Sequence, residues 1–313
     1  MSLFLQSAAP RLPKPCIVRL PRGKDITRIN IATQKHKYAC LALPMALVVG
    51  ACTSVPLKEA GTLTSYDRLG TVKGKFTQSR TFVDGTGLAG LKTVKIVPTT
   101  FAFGLSSRVH RAEDRALVAN ALDRAVCVAL SDKFQIVGSS QPADLTVHTV
   151  VTDIVPTNKA IAGLSTAVSL GSSAVLPVSI PRLPLGLGGL AVEAEAIDFS
   201  GVQRAAVVWS KGANSIANKA RISDVGDAYG LASNFGNYFS RMIVKGKEPS
   251  DIQFALPSGQ KMKSMLGGKP KYAACETFGR APGLMDVIGS KFGAPPSWTD
   301  KSGRIENNLS PSK

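Results

Sequence analysis

The feature that most constrains this fold is a 13-residue apolar run at residues 39–51. The basic residues Lys35 and Lys37 precede it, and Cys52 follows it directly. A helix that spans a bilayer needs about 20 apolar residues. A secretory signal needs a basic flank, an apolar centre of about 7–15 residues and small residues before the cleavage site. The run therefore predicts that residues 1–51 form a leader. The folded protein must then be built from the residues that follow.

The last four residues of this segment, Val49-Gly50-Ala51-Cys52, resemble the lipobox of bacterial lipoproteins. In that family the cysteine sulfur is alkylated with diacylglycerol, the leader is cut before it, and the new amino group is acylated with a fatty acid such as palmitate. The resemblance implies that Cys52 is the lipidation site and that the protein is held to a membrane by its acyl chains.

Thr53 follows the cysteine, where an Asp commonly marks retention in the inner membrane. Thr53 therefore favours an outer-membrane lipoprotein that faces the periplasm of a Gram-negative envelope. A leader of 51 residues is long for a signal peptide, and residues 1–34 resemble neither a signal nor a domain. We interpret residues 1–34 as sequence upstream of the true translation start. The alternative is that they form a functional amino-terminal arm.

Composition divides the rest of the chain into three parts. Residues 52–90 are rich in Thr, Ser and Gly and predict a tether and lead-in. Residues 91–245 carry the regular patterns of an α/β domain, interrupted by a Gly/Ser/Pro-rich apolar insert at 157–189. Residues 246–313 lack hydrophobic periodicity and predict a mostly disordered tail.

Two segments have the periodicity of helices. Residues 111–133 have an apolar stripe at 3.6-residue spacing, and a second amphipathic helix is expected after Ser223 as its N-cap. Strands are expected at 91–101, in the segment FQIVG, at 143–155 and at 190–199 and 203–212, with the last two joined as a hairpin. A short strand is also possible at 80–83. This order predicts a two-layer α/β sandwich of a mostly antiparallel sheet and two main helices, flanked by a disordered leader and tail.

Neither the remaining cysteines nor the net charge points to a metal, another cofactor or a nucleic-acid partner. Cys127 lies in an apolar helical pattern and is interpreted as a buried thiol rather than a disulfide partner of Cys275. No Cys-x-x-Cys or His cluster supports a metal site. The net charge is +17, but aromatic residues make up only 6% of the chain, and the leader directs it out of the cytosol. Nucleic acid is therefore not an expected partner.

Glu193 and Glu195 are the candidate acids for catalysis, since residues two apart on a strand project from one face. With Asp153 on a neighbouring strand, they could act as an acid/base group on envelope glycan. The alternative is a solvated sheet face on which these carboxylates pair with a cation such as Arg204. The two interpretations differ in geometry: an enzyme needs the carboxylates to line a concave pocket.

Two segments, ADLTVHTVVTDIVPTN (143–158) and GGLAVEAEAIDFSGVQRAAVV (188–208), resemble an uncharacterised bacterial lipoprotein family, catalogued as domain of unknown function 3313. With the closing helix, the resemblance covers residues 66–245. The order of elements is also similar to the amino-terminal domain of the periplasmic TolB protein and to lipoproteins that activate penicillin-binding proteins. Those proteins act by contact with partners, which implies a non-catalytic role here.

These observations predict a non-enzymatic, lipid-anchored envelope protein that presents its α/β domain to a protein partner or to its own copies. The insert is the expected contact surface or a membrane-apposed flap. The competing hypothesis is the glycan-acting enzyme that uses Glu193, Glu195 and Asp153.

Overall fold

A computed structural model describes residues 55–102, 109–173, 182–215, 218–249 and 258–301. The leader and Cys52 lie outside the described residues, so the predicted lipidation site is not part of the structural description. No helix within the described ranges is long and apolar enough to cross a membrane.

Seven strands form one sheet with the spatial order β1-β7-β6-β5-β2-β4, and β3 pairs with β5. Their bounds are β1 Thr77–Val83, β2 Thr93–Ile96, β3 Thr100–Phe101, β4 Gln135–Val137, β5 Leu145–Val155, β6 Gly189–Asp198 and β7 Gln203–Gly212. The predicted hairpin is confirmed as β6 and β7, and the possible short strand is the longer β1 at the edge of the sheet.

The sheet is mixed: its three long ladders are antiparallel, as expected, and its short ladders are parallel. The pairs β1–β7, β7–β6 and β6–β5 are antiparallel, whereas β2 and β3 run parallel to β5 and β4 runs parallel to β2. The strand expected at 91–101 is split into β2 and β3 around Pro98, which has no backbone N–H to donate to a ladder. The parallel half follows from the α1 crossover, because a helix between neighbouring strands returns the chain in the same direction.

Helices α1, Ala112–Leu130, and α3, Gly226–Lys245, cover one face of the sheet. The first confirms the predicted helix, but α3 begins after Val225 rather than at Ser223, whose hydroxyl accepts a hydrogen bond from the Val225 N–H at 3.3 Å. The helices approach closely where a Cβ at Gly236 would lie 2.6 Å from the Cβ of Ala125. Beneath them Trp209 of β7 makes an edge-on contact with Phe235, with ring centroids 5.4 Å apart.

Residues 55–76 cover part of the opposite face rather than forming a loose tether. Leu63 and Leu69 pack against Ala206 and Val208 of β7. Val55 is buried, and its carbonyl accepts a hydrogen bond from the Ser210 hydroxyl at 2.9 Å. The chain is thus fixed to the domain from Val55 onward.

The apolar insert lies between β5 and β6, as expected, and begins with helix α2, Lys159–Ser173. Ala162 on its inner face is fully buried. Residues 174–181 of the insert lie outside the described residues.

The prediction of a mostly disordered tail is wrong for residues 258–301. This segment forms α4 Gly259–Met265, a 3₁₀ helix Ala273–Phe278, α5 Leu284–Lys291 and α6 Pro296–Thr299. It is tied to α1 by a disulfide between Cys127 and Cys275, so the expected free thiol is also wrong. The segment is held by a cross-link to a residue 148 positions away and by single ion pairs. Neither produces a hydrophobic periodicity in the sequence, so the pattern did not predict that the segment is folded.

Asp123 of α1 makes stability dependent on pH. Its carboxylate accepts hydrogen bonds from the Thr99 N–H (3.0 Å) and hydroxyl (2.5 Å), and burial raises its pKa to about 7. In the unfolded chain the pKa is near its ordinary value of about 4. The folded state therefore binds more protons between these values, and this contribution to stability is lost as pH rises toward and through 7.

We expect Asp123→Asn to remove this pH dependence. Between pH 4 and pH 8 the free energy of unfolding of the wild type should fall by about 2–4 kcal/mol relative to the variant. Urea unfolding at both pH values measures the difference, with Asp132→Asn at an exposed position as the control. Parallel pH profiles for wild type and Asp123→Asn would contradict the assignment.

Candidate functional site

The predicted acids Glu193 and Glu195 lie on β6 on the face that the lead-in covers, and both are buried. Glu193 accepts hydrogen bonds from the Ala60 N–H (2.7 Å) and the Tyr66 hydroxyl (2.7 Å). It also accepts from the Thr62 N–H at 3.2 Å and from the Thr62 hydroxyl. Burial, and next the hydrogen bond to Glu193, raise the pKa of Tyr66, which keeps its hydroxyl protonated as a donor.

Glu195 is held in the same way. It accepts from the N–H and the hydroxyl of Thr64, both at 2.9 Å, and from the side-chain amide of Gln203 at 2.7 Å. These contacts fit neither sequence interpretation, because the carboxylates are neither on an open face nor in a pocket. Arg204, the expected cation, instead pairs with Asp198 at 2.7 Å and Asp84 at 2.6 Å.

Asp153 lies on the same face of the sheet as the two glutamates but is not the strand partner of either. It follows a bulge in β5 and stands opposite Ala191, whereas Glu193 stands opposite Val150. Asp153 is half-buried. The lead-in accordingly covers both glutamates where the enzyme hypothesis needs an open concave site.

Sequence reasoning missed a buried ion pair that joins the insert to α3. Arg182 donates two hydrogen bonds to Asp227, at 2.5 and 3.1 Å, and both side chains are almost fully buried. Asp227 also accepts from the Gly188 N–H (2.7 Å) and the Thr157 hydroxyl (3.0 Å). Arg182 is the lone charge in residues 160–189, and an isolated charge in an apolar segment indicates a buried partner.

A second buried cluster fixes the carboxyl-terminal segment. Arg124 of α1 donates to Asp300 at 2.6 Å and to the carbonyl oxygen of Phe278 at 3.1 Å. The Tyr229 hydroxyl of α3 also donates to Asp300. Burial is the main cause that raises the pKa of Tyr229, so the hydroxyl stays protonated in this cluster.

A cavity of about 660 Å³ lies between α1, α3 and the carboxyl-terminal segment. Its cations include Arg221, which pairs with Asp286 at 2.7 Å, and three lysines that form no salt bridge among the described residues. These are Lys211, Lys219 and Lys261. Burial lowers the pKa of Lys211 and of Lys261. The cavity wall is mixed, with apolar side chains beside these cations and the acids Asp227 and Asp286, and none of the three predicted acids lines it.

No group of three or more metal-ligating side chains occurs in the described part of the chain. The buried carboxylates are occupied by donors from the chain itself. The arrangement can therefore rigidify the fold and bind polar ligands, but it presents no assembled acid/base pair.

A family model described as "Protein of unknown function (DUF3313)" matches residues 58–239, more than half of the chain. The chain belongs to the DUF3313 family. This confirms the resemblance drawn from the two strand segments. The match begins in the lead-in that covers Glu193 and ends within α3, so the DUF3313 region includes Glu193, Glu195 and Asp227 but not residues 258–301.

Two solved structures are similar to this DUF3313 protein. One is a PelC dodecamer from Paraburkholderia phytofirmans, with 10% identity, a TM-score of 0.31, and coverage of 56% of this chain and 99% of that chain. The other is a variant PelC dodecamer from the same organism, with 15% identity, a TM-score of 0.29, and coverage of 54% and 96%. These low scores carry no conclusion about assembly or function. A search of curated proteins found no match.

We expect Glu193→Gln to loosen the lead-in of the DUF3313 domain. An amide offers one acceptor oxygen where the carboxylate offers two, and its NH₂ group would face donors. The free energy of unfolding should fall by about 2–3 kcal/mol, and amide exchange at residues 60–66 should accelerate. Glu113→Gln, at an exposed position of α1, is the matched control. Unchanged exchange at residues 60–66 in Glu193→Gln would show that the carboxylate does not hold this segment.

Proposed function

We propose that this DUF3313 protein is a lipid-anchored envelope protein that works by contact with a partner or with its own copies, not by catalysis. The anchor is Cys52, and the compartment is the periplasmic side of the outer membrane. The likeness to the TolB amino-terminal domain, expected from the order of elements, stays a prediction.

The observation that carries the proposal is the burial of Val55. Val55, only three residues after Cys52, is already buried and hydrogen-bonded to β7. Three Cα–Cα steps reach at most about 11 Å. Acyl chains on Cys52 would therefore hold the whole domain against the lipid surface, which suits a protein that acts at that surface.

The state of the acids supports a non-catalytic role. Acid/base chemistry requires a carboxyl within hydrogen-bond reach of a substrate atom. Glu193 and Glu195 accept their hydrogen bonds from residues 60–66 and Gln203. A substrate would have to displace the lead-in to reach either of them.

We expect Cys52→Ala to abolish lipidation and to leave the full leader attached. In cells the wild type should incorporate radioactive palmitate and fractionate with the outer membrane, whereas the variant should incorporate none. Thr53→Asp is the matched control: it should keep the label and move the protein to the inner membrane. Persistent palmitate labelling of Cys52→Ala would contradict the proposal.

A further inference from the structure

Helix α2 has the reverse of the usual polarity of a surface helix, with small and polar residues buried and large apolar residues exposed. Its inner face is formed by Ala162, Ser165 and Thr166, whereas Leu164 and Val168 on its outer face are exposed. Residues 160–173 contain no charged side chain. A solvated helix normally carries its polar residues outward, so α2 is built for an apolar neighbour on its outer side.

Helix α5 has the same inverted character. On its inner side Asp286 pairs with Arg221 at 2.7 and 2.8 Å, and Ser290 is buried. Apart from Lys291, its exposed residues are large apolar ones, and Phe292 directly after the helix is 61% exposed. The exposed apolar side chains of α5 and its end are Leu284, Met285, Val287, Ile288 and Phe292.

Helices α2 and α5 are neighbours, and the exposed side chain of Ile222 lies between them. A Cβ at Gly293, directly after Phe292, would lie 2.7 Å from the Thr166 hydroxyl of α2. The Gly293 carbonyl accepts a hydrogen bond from the N–H of Ile222, and the exposed Ile222 side chain lies against Gly163 of α2. We call the joined surface the apolar platform, and its exposed members are Leu164, Val168, Ile222, Leu284, Met285, Val287, Ile288 and Phe292.

The amino-terminal anchor point lies next to this platform. A Cβ at Gly189 would overlap the side chain of Val55, and three residues earlier Gly186 packs against Asn158 and Ile161 at the start of α2. Val55 thus lies near the start of α2. Acyl chains on Cys52, three residues earlier, would be attached within about 11 Å of Val55.

We propose that the apolar platform rests in the interface of the bilayer to which the protein is anchored, an inference that depends on the proposed lipidation of Cys52. Helices that lie in a membrane interface carry apolar residues on one side, with cations and aromatic rings at the edge. Exposed Lys291 and Lys301 can meet lipid phosphates, and Trp298 on the adjoining α6 is 78% exposed. The ligand of this surface is phospholipid rather than a second protein.

The two tryptophans of the chain give a direct test. The lipidated protein is purified from membranes and reconstituted in phosphatidylethanolamine and phosphatidylglycerol vesicles with or without bromine on the acyl chains. Flotation of the protein with the vesicles shows that it is anchored. Quenching of tryptophan fluorescence by bromine shows whether the tryptophan lies in the bilayer. We expect Trp298 emission to fall about twofold or more in brominated vesicles, while buried Trp209 stays unchanged. Trp298→Phe assigns the two signals.

The double variant Ile288→Asp with Phe292→Asp should withdraw the platform from the bilayer interface, because charges are costly in the apolar part of a membrane. This variant should still float but should lose the quenching. Phe199→Asp is the matched control: Phe199 is 81% exposed but lies at the other end of β6, about 30 Å from Gly189. It should keep both signals.

Flotation without quenching of the wild type would overturn the platform assignment and leave the anchor standing. A blue shift of Trp298 without bromine quenching would point to a protein surface instead, and would also overturn it. Failure of the lipidated protein to float would overturn both the anchor and the platform.

Discussion

Replacing Asp227 by Ala should lower the free energy of unfolding by about 3–5 kcal/mol, because it leaves the buried guanidinium of Arg182 without its carboxylate partner. The Arg182 and Asp227 side chains are 3% and 1% exposed, and Asp227 also holds the Gly188 N–H and the Thr157 hydroxyl. These contacts join the two ends of the insert to α3. Urea unfolding measures the loss, and amide exchange should quicken at residues 182–188.

The control for this prediction is Asp224→Ala. Asp224 pairs with Lys159 at 2.9 Å between α2 and the segment before α3, but both side chains are substantially exposed. Exposed pairs contribute about 0–1 kcal/mol, so this variant should stay near the wild type. An apolar replacement of both partners, Arg182→Met with Asp227→Leu, should recover only part of the loss, because the Gly188 N–H and the Thr157 hydroxyl lose their acceptor. Equal stabilities for Asp227→Ala and Asp224→Ala would show that the buried pair is unimportant.

Removal of the disulfide should release the carboxyl-terminal segment and destabilise the domain. The bond joins Cys127 of α1 to Cys275 across 148 residues, and closing a loop of that length in the unfolded chain is worth about 3–5 kcal/mol. In Cys127→Ala with Cys275→Ala we expect a loss of this size in guanidinium unfolding. Residues 258–301 should also become sensitive to protease.

Reducing agent supplies the control for the disulfide. During unfolding, a reductant should lower the stability of the wild type toward that of the double variant, and it should have no effect on the variant itself. Both cysteines are buried, so reduction should require opening of the structure. If the unfolded, oxidised wild type showed free thiols at Cys127 and Cys275, the cross-link would be ruled out.

The regular elements of the fold were predictable because their periodicity is local. The stripe of α1 and the alternation in β5, β6 and β7 specify element type within short windows. The parallel pairing of β2, β3 and β4 depends on how α1 returns the chain, which a strand pattern does not contain. The carboxyl-terminal segment was missed for a related reason: it is held by Cys275 and Asp300, whose partners lie far away in the sequence.

The candidate site shows the same division. The position of Glu193 and Glu195 on one face of β6 followed from strand geometry. Their burial did not, because Ala60, Thr62 and Thr64 give no pattern that marks them as donors to a strand more than 100 residues later. Arg182 was the one usable sign, as the lone charge in the apolar residues 160–189.

The central claim is that Cys52 carries lipid and begins the mature chain, three residues before the buried Val55. The most direct measurement is mass spectrometry of tryptic peptides from the protein isolated from envelope membranes. We predict a peptide 52–58, CTSVPLK, whose mass includes diacylglycerol and whose amino group is new or acylated. Recovery of the unmodified peptide 38–58, with the leader uncut, would contradict the claim.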